Sequence, residues 1–445
     1  MNWPQPSWVA ADWGRIRGRP LFLIIGAILI MILAVAHICS FTIGGDTGEV
    51  QRNYLPYVLA ILQGIPPYTD TAGLSWEYPP LGFIIMLVPG LFSTSGWGYQ
   101  IGFSLFAATF AVLGLWIVCQ LAKFYGRNEN MAALGYTILM ALMIQFLFER
   151  YDVFPAVMVA GAVLLYVKDH KNWAFLLLAV GTMIKVYPAI FFLLFLLPLL
   201  VRHDWRRSAT GAGVFIGGCL LLWLPFIALS PDNFTMFLTY HSDRGIQLES
   251  TLASLILAAE NMGLTTTWTI NSFGSFNLTG GLADALKGIA IPIMIAFILV
   301  TYAVFAVVLW KRGADEKQTA AILPLGMATV MLAFIVFNKV FSAQYIIWLI
   351  PVILVALLTV PLRNRSWLLT LMLLLCIDFL TFRFRWIYYG LCIHDSWCDL
   401  LLLCRNLLMI GLLMLIAYQL CRAGDHTSED PEEEKHSAAT ESDKC

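Results

Sequence analysis

The chain has 445 residues, of which 60% are hydrophobic and only 12% charged. Soluble domains run nearer half apolar and a quarter charged, so this composition excludes a cytosolic enzyme, a disordered chain and a nucleic-acid binder. The net charge of −1 conceals an asymmetry: from Arg422 onward eight acids face three bases, leaving 24 bases against 20 acids before it. That is a polytopic membrane protein with a soluble acidic tail.

An apolar stretch near 20 residues crosses a bilayer core of about 30 Å. On that rule a cytoplasmic N-terminus, 1–19, precedes a membrane domain over 20–421, and the tail 422–445 is disordered and cytoplasmic. The predicted spans are 20–43, 99–122, 130–148, 152–167, 172–186, 187–201, 209–229, 287–310, 318–337, 342–361, 367–389 and 399–421. This is an all-α polytopic fold of about 12 transmembrane helices. The first span carries no small-residue cleavage site and reads as an anchor. Spans 172–186 and 187–201 read as a kinked pair. Leu81–Phe92 is apolar but short, and Pro89-Gly90 interrupts it, so it reads as re-entrant or interfacial.

The first outer loop, 44–80, contains Glu49–Gln63, whose Val50, Tyr54, Tyr57, Val58 and Ile61 recur at helical spacing. It predicts an amphipathic helix lying in the interface, stopped by Gly64-Ile65-Pro66-Pro67-Tyr68. The second outer loop, 230–286, is polar, with a short interfacial helix expected over Gln247–Glu260. Six of the nine cysteines fall in or at the ends of spans as packing residues, whereas Cys392 and Cys398 share a short outer loop where an oxidising compartment would allow a disulfide.

With the N-terminus inside, sixteen Lys and Arg residues of the inner loops fall on one side, provided Leu81–Phe92 does not cross. Nine remain on the outer side: Arg52, Arg150, Lys185, Arg244, Lys287, Lys339, Arg383, Arg385 and Arg405. A charge at membrane depth is costly unless paired or set in a cavity, so these are functional suspects. Some have a plainer use. Arg383 and Arg385 could snorkel to headgroups, and Glu149, Arg150 and Asp152 could pair among themselves.

No Walker loop, Gly-x-Gly-x-x-Gly, His-Glu-x-x-His, Cys-x-x-Cys or Asp-x-Asp is present. What remains is a one-sided constellation. Asp46 and Glu49 lie in Gly44-Gly45-Asp46-Thr47-Gly48-Glu49, and Glu77 in Trp76-Glu77-Tyr78-Pro79-Pro80. Lys185 lies in Ile184-Lys185-Val186-Tyr187-Pro188; His241, Arg244, Gln247 and Glu249 crowd into 240–250; Lys339 lies in Asn338-Lys339-Val340. Bases with a few carboxylates fit an anionic phosphate carrying polar hydroxyls: Lys and Arg hold phosphate, a carboxylate removes a hydroxyl proton, and Trp and Tyr offer faces to a sugar ring. A transporter or lipid flippase would use similar charges, but its inner span halves would also be polar; here they are almost purely apolar. A structural subunit needs no converging acids and bases.

At these residues the chain resembles the polyprenyl-phosphate-mannose-dependent mannosyltransferases of glycosyltransferase family 87, within the C-type membrane glycosyltransferase fold. Four pieces carry the resemblance. They are Gly45-Asp46 with Tyr54, 64–70 and Glu77-Tyr78-Pro79-Pro80-Leu81; Arg150-Tyr151-Asp152-Val153-Phe154-Pro155 with Lys185-Val186-Tyr187-Pro188; Arg244-Gly245-Ile246-Gln247-Leu248-Glu249-Ser250; and 338–348. Position 343 is Ala where such proteins often have Pro. The resemblance implies inverting transfer of a hexose, mannose by family default, from a polyprenyl-phosphate donor. The acceptor would be a hydroxyl of a glycolipid or glycan at the non-cytoplasmic face of the cell membrane, as in cell-envelope glycolipid synthesis, with no metal or cofactor. It implies Asp46 as base, with Glu77 and Asp70 as alternatives, and Lys185, Arg244, Lys339 and His241 on the donor phosphate. Glu49, Tyr78, Arg150, Asp152, Tyr187, Gln247, Glu249, Gln344 and Tyr345 are the expected substrate contacts. The expected partners are the donor lipid, the acceptor and the bilayer, and a monomer suffices.

Overall fold

The structure, a computed structural model, describes residues 21–44, 48–69, 73–360, 365–388 and 395–423. Among them seven helices are long and apolar enough to cross a membrane: 21–40, Gly96–Phe124, Trp205–Leu229, Gly281–Arg312, Glu316–Phe337, 366–383 and Ser396–Arg422. Shorter apolar helices stand beside them at Pro80–Gly90, Val153–Val167, Lys171–Ile184, 187–201 and 343–359. The chain is an integral membrane protein built almost entirely of helices.

The short helices are central. Helix Glu316–Phe337 and helix Ile346–Thr359 bury most of their side chains, as does Val153–Val167, whereas Trp205–Leu229 and Gly281–Arg312 leave long apolar faces outward. A helix apolar all round is a core helix or meets lipid. At the basic end of the bundle, Arg127 donates from Nε to the Leu358 carbonyl at 2.9 Å and from Nη2 to the Val360 carbonyl at 2.8 Å. It thereby satisfies carbonyls left open where helix Ile346–Thr359 ends.

Four expectations change in detail. Span 130–148 is two helices, Glu129–Leu142 and Ile144–Glu149, broken at Met143. Spans 172–186 and 187–201 are separated by extended backbone at Lys185 and a 3₁₀ turn, Tyr187–Phe191, because Pro188 lacks the N–H that a continuous helix would donate to the Ile184 carbonyl and its ring would crowd that carbonyl. The segment 49–63 is two helices, Glu49–Asn53 and Leu55–Leu62, parted at Tyr54 ahead of Pro56. Its apolar face is packed on protein rather than on lipid: Val50, Tyr54, Tyr57 and Val58 are buried. Finally, Leu81–Phe92 is an 11-residue helix, Pro80–Gly90, which at about 1.5 Å per residue cannot span the bilayer alone. Gly82 there lets the backbone approach the Ile184 carbonyl, which an added Cβ would meet at 3.1 Å.

The second outer loop departs furthest from expectation. It holds a helix Met236–Asp243, a strand β1 (Ile246–Gln247), a helix Thr251–Asn261 shifted from the expected 247–260, and a hairpin of β2 (Trp268–Ser272) and β3 (Ser275–Thr279). The strands form an antiparallel sheet in the order β1-β3-β2, so the fold is not strictly all-α. The hairpin turn Phe273-Gly274 has positive φ at both residues, the backbone of a tight two-residue turn. A small second core joins β1 and helix Thr251–Asn261 to Cys398 and Leu402 of helix Ser396–Arg422.

Candidate active site

A cavity of about 620 Å³ lies where these elements meet. Its wall includes Glu77, Tyr78, Arg150, Asp152, Lys185, Tyr187, Arg244, Gln247, Glu249, Lys339, Gln344 and Tyr345, drawn from segments up to 268 residues apart in sequence, counting from Glu77 to Tyr345. Five of the nine expected outer bases line it: Arg52, Arg150, Lys185, Arg244 and Lys339. Asp46 and Asp70 lie outside the described residues, and so does Cys392. The backbone of His241 belongs to helix Met236–Asp243, and its side chain lies outside what is described.

Lys185 occupies the break between two short helices, where extended backbone turns its side chain out of the helical path. Its Nζ donates to Asp152 Oδ1 at 2.6 Å, and Trp348 Nε1 donates to the same oxygen at 2.7 Å. Asp152 precedes helix Val153–Val167 without capping it, which leaves its carboxylate for this pair. The ammonium lies 4.6 Å from the Tyr151 ring centroid, 5.0 Å from Trp348 and 5.8 Å from Tyr345. Tyr187 and Tyr345 stack on Trp348 at 4.1 and 3.8 Å. The result is a cation framed by aromatic rings and anchored by a carboxylate with no exposed surface.

The pairing considered for Glu149, Arg150 and Asp152 does not occur. Arg150 pairs with Glu49. Glu149 accepts the Glu49 backbone N–H at 3.0 Å and lies 3.7 Å from His37 Nε2. Extended backbone at Arg150 points successive side chains to opposite sides, so these neighbours in sequence serve different partners.

Also in the cavity wall, Arg244 donates from Nη2 to Ser275 Oγ at 2.8 Å, and among the described residues no carboxylate pairs with it. Lys339 donates from Nζ to the Arg244 carbonyl at 2.6 Å. The Gln247 backbone N–H donates to the Lys339 carbonyl at 2.9 Å, and its side-chain amide donates to Ser342 Oγ at 3.0 Å. Glu249 is bound by Arg405.

Glu77 sits on a loop wedged by aromatics. Tyr68 and Trp76 both adopt left-handed backbone, at φ 67° and 41°, each costing about 1–3 kcal/mol. Both are fully buried and bonded: Tyr68 donates to the Tyr78 carbonyl at 2.7 Å, and Trp76 Nε1 to the Thr69 carbonyl at 2.8 Å. Burial, followed by the neighbouring Glu77 carboxylate, pushes the Tyr240 hydroxyl above the usual phenol range, so it stays a donor facing Glu77.

Sequence reasoning overlooked Tyr151, Trp348 and Ser275, and marked Arg405 as a suspect base without giving it a role. Tyr151 and Trp348 stood inside quoted motifs, and an indole N–H buried in an apolar run demands an acceptor. Ser275 belongs to a hairpin whose polar composition resembled a linker.

No curated protein matches the chain. Two crystal structures of ArnT from Cupriavidus metallidurans, one bound to undecaprenyl phosphate and one in the apo state, align with TM-scores of 0.47 and 0.46. They are 14% and 13% identical over 91% of this chain and 76% and 77% of theirs. The model of glycosyltransferase family 87 matches residues 76–286. That stretch, just under half of the chain, holds Glu77, Lys185 and Arg244.

Proposed function

We propose that the protein is a C-type membrane glycosyltransferase that moves a hexose, mannose by family default, from a polyprenyl-phosphate donor to a hydroxyl of a glycolipid or glycan. Its cavity opens to the non-cytoplasmic face, the side to which the positive-inside count assigns the cavity-lining bases. The observation that carries this reading is the convergence of Glu77, Lys185, Arg244 and Lys339 on one cavity, three of them within the family match.

The reaction is a single displacement at the anomeric carbon. A carboxylate takes the acceptor proton as the new C–O bond forms, and the bond to the phosphate oxygen breaks with the electron pair leaving on phosphate. Asp46 is the base, with Glu77 and Asp70 as alternatives. Arg244, free of a carboxylate partner among the described residues, and Lys339 hold the developing phosphate charge. Lys185 joins them in the cavity wall, fixed in place by Asp152, which Trp348 also binds. Donors fixed before the reaction stabilise charge as it develops without reorganising. Tyr78, Tyr187 and Tyr345 give the sugar ring its faces, and Gln247, Glu249 and Gln344 meet its hydroxyls.

Purified protein incubated with radiolabelled polyprenyl-phosphate mannose and a membrane lipid extract should move label to a new species. Asp46→Asn and Arg244→Gln, folded as the parent is, should each lose on the order of 10²–10³ in kcat. Parent-level turnover in Asp46→Asn removes that residue as base, and the same result in Arg244→Gln removes the phosphate assignment.

A further inference from the structure

Arg405 is 1% exposed and sits in helix Ser396–Arg422, beyond the family match and amid a long apolar sequence. A buried guanidinium at such a position is costly unless its donors are met, and among the described residues they meet Glu249 and Asn406. Nη1 donates to Glu249 Oε2 at 3.4 Å and Nη2 to the Glu249 carbonyl. Nε and Nη2 reach the Asn406 side-chain oxygen at 3.2 and 3.0 Å. Asn406 then donates to the carbonyls of Glu249 and Ser250 at 3.3 and 3.2 Å and to Ser254 Oγ at 3.1 Å. The guanidinium also lies 4.4 Å from the centroid of Phe341.

Those partners are the two strips of backbone that make one wall of the cavity. Glu249 and Gln247 belong to the first strip; Lys339, Val340 and Ser342, around Phe341, belong to the second. The strips are bonded to each other through Gln247 and Lys339, and Arg405 touches both from behind. A clip with only a packing role would be satisfied by carbonyls. This one also engages the carboxylate of a residue that lines the cavity, and so compensates the charge of a buried acid that substrate would meet.

We propose that Arg405 is a positioning residue for the sugar of the substrate: it holds Glu249 as a hydroxyl acceptor in the cavity wall, with Asn406 fixing the backbone beneath. This rests on the glycosyltransferase reading. The helix Ser396–Arg422, although outside the matched region, is thereby part of the functional unit. Lys cannot replace Arg here, because a point ammonium lacks the planar fork that meets carboxylate, carbonyl and amide together.

The test uses the full chain in native membranes, with variants Arg405→Lys, Arg405→Met and Glu249→Gln and the double variant Arg405→Met/Glu249→Gln. Activity is normalised to folded protein by size-exclusion of a fluorescent fusion. Losing a charged hydrogen bond to the sugar predicts a KM for polyprenyl-phosphate mannose raised about tenfold in Arg405→Lys and in Glu249→Gln, with kcat within about twofold. The double variant should be no worse than the worse single one, because both act through one contact. An unchanged KM in Glu249→Gln overturns the proposal. So does an Arg405→Lys variant whose folded yield falls while the KM of the surviving protein stays at the parent value. Parent membranes without any transfer activity remove the glycosyltransferase reading and this inference with it, whereas an active parent with indifferent variants removes the inference alone.

Discussion

Asp152 has no exposed surface, yet it accepts from both Lys185 and Trp348. Breaking a buried pair by removing one partner leaves the other charge stranded, which typically costs about 3–5 kcal/mol. Asp152→Asn should therefore lower the thermal midpoint of the detergent-purified protein strongly. The double variant Asp152→Asn/Lys185→Met strands no charge, so it should regain much of the lost stability while staying inactive. Recovery of transfer activity in the double variant would show that the pair is only structural. Glu249 with Arg405 repeats the pattern, which means that two of the cavity's carboxylates come with their own cations. Arg244 differs from both: its guanidinium donates to the Ser275 hydroxyl, while Lys339 donates to its backbone carbonyl.

Among the elements, the loops at the basic end of the bundle are tied by a network of their own. Asp169 meets Lys171 at 2.8 Å and Arg207 at 3.2 Å, while Glu316 lies within 3.8 Å of Lys171, Arg202 and Arg207. Partial burial works against the Asp169 carboxylate, but the Lys171 hydrogen bond and the surrounding bases hold its pKa below the ordinary 3.8. A depressed carboxyl contributes stability above its unfolded pKa and loses it as the pH falls through the folded value. Asp169→Asn should thus melt below the parent at pH 7, by an amount that added salt reduces, and the gap should close below about pH 4. A gap that persists in acid would point to packing instead of charge. The outer elements were read less fully. Runs such as Ile322–Val336 announce a helix by composition alone, and Pro188 and Pro56 mark real breaks. The sheet of 246–279 gave no such notice, because its strands are two to five residues long and β2 is exposed on both faces, so no alternation of period two could emerge.

At the scale of the whole molecule, most of the candidate site was legible because charge is rare in an apolar chain. Arg150, Lys185, Arg244 and Lys339 could be singled out without a fold, since each would be costly at depth. Which charges neutralise one another was not legible. Glu49 with Arg150 and Glu249 with Arg405 are joined across 101 and 156 residues of sequence, and only the packing of helices sets such distances. Orientation remains a claim about the entire chain, and it can be measured. In intact cells a membrane-impermeant maleimide should label Met262→Cys, a 74% exposed site, and should reach Lys311→Cys only after permeabilisation, with the parent's own thiols as baseline. The reverse pattern would place the cavity on the cytosolic side.

Phe83 lines no part of the cavity, yet its ring meets those of Tyr57, Tyr68, Trp76 and Tyr78. Its ring packs against both left-handed residues, Tyr68 and Trp76, and Glu77 follows directly on the second of them. A change at Phe83 therefore reaches Glu77 through the rings that hold Tyr68 and Trp76, although Phe83 itself touches nothing in the cavity.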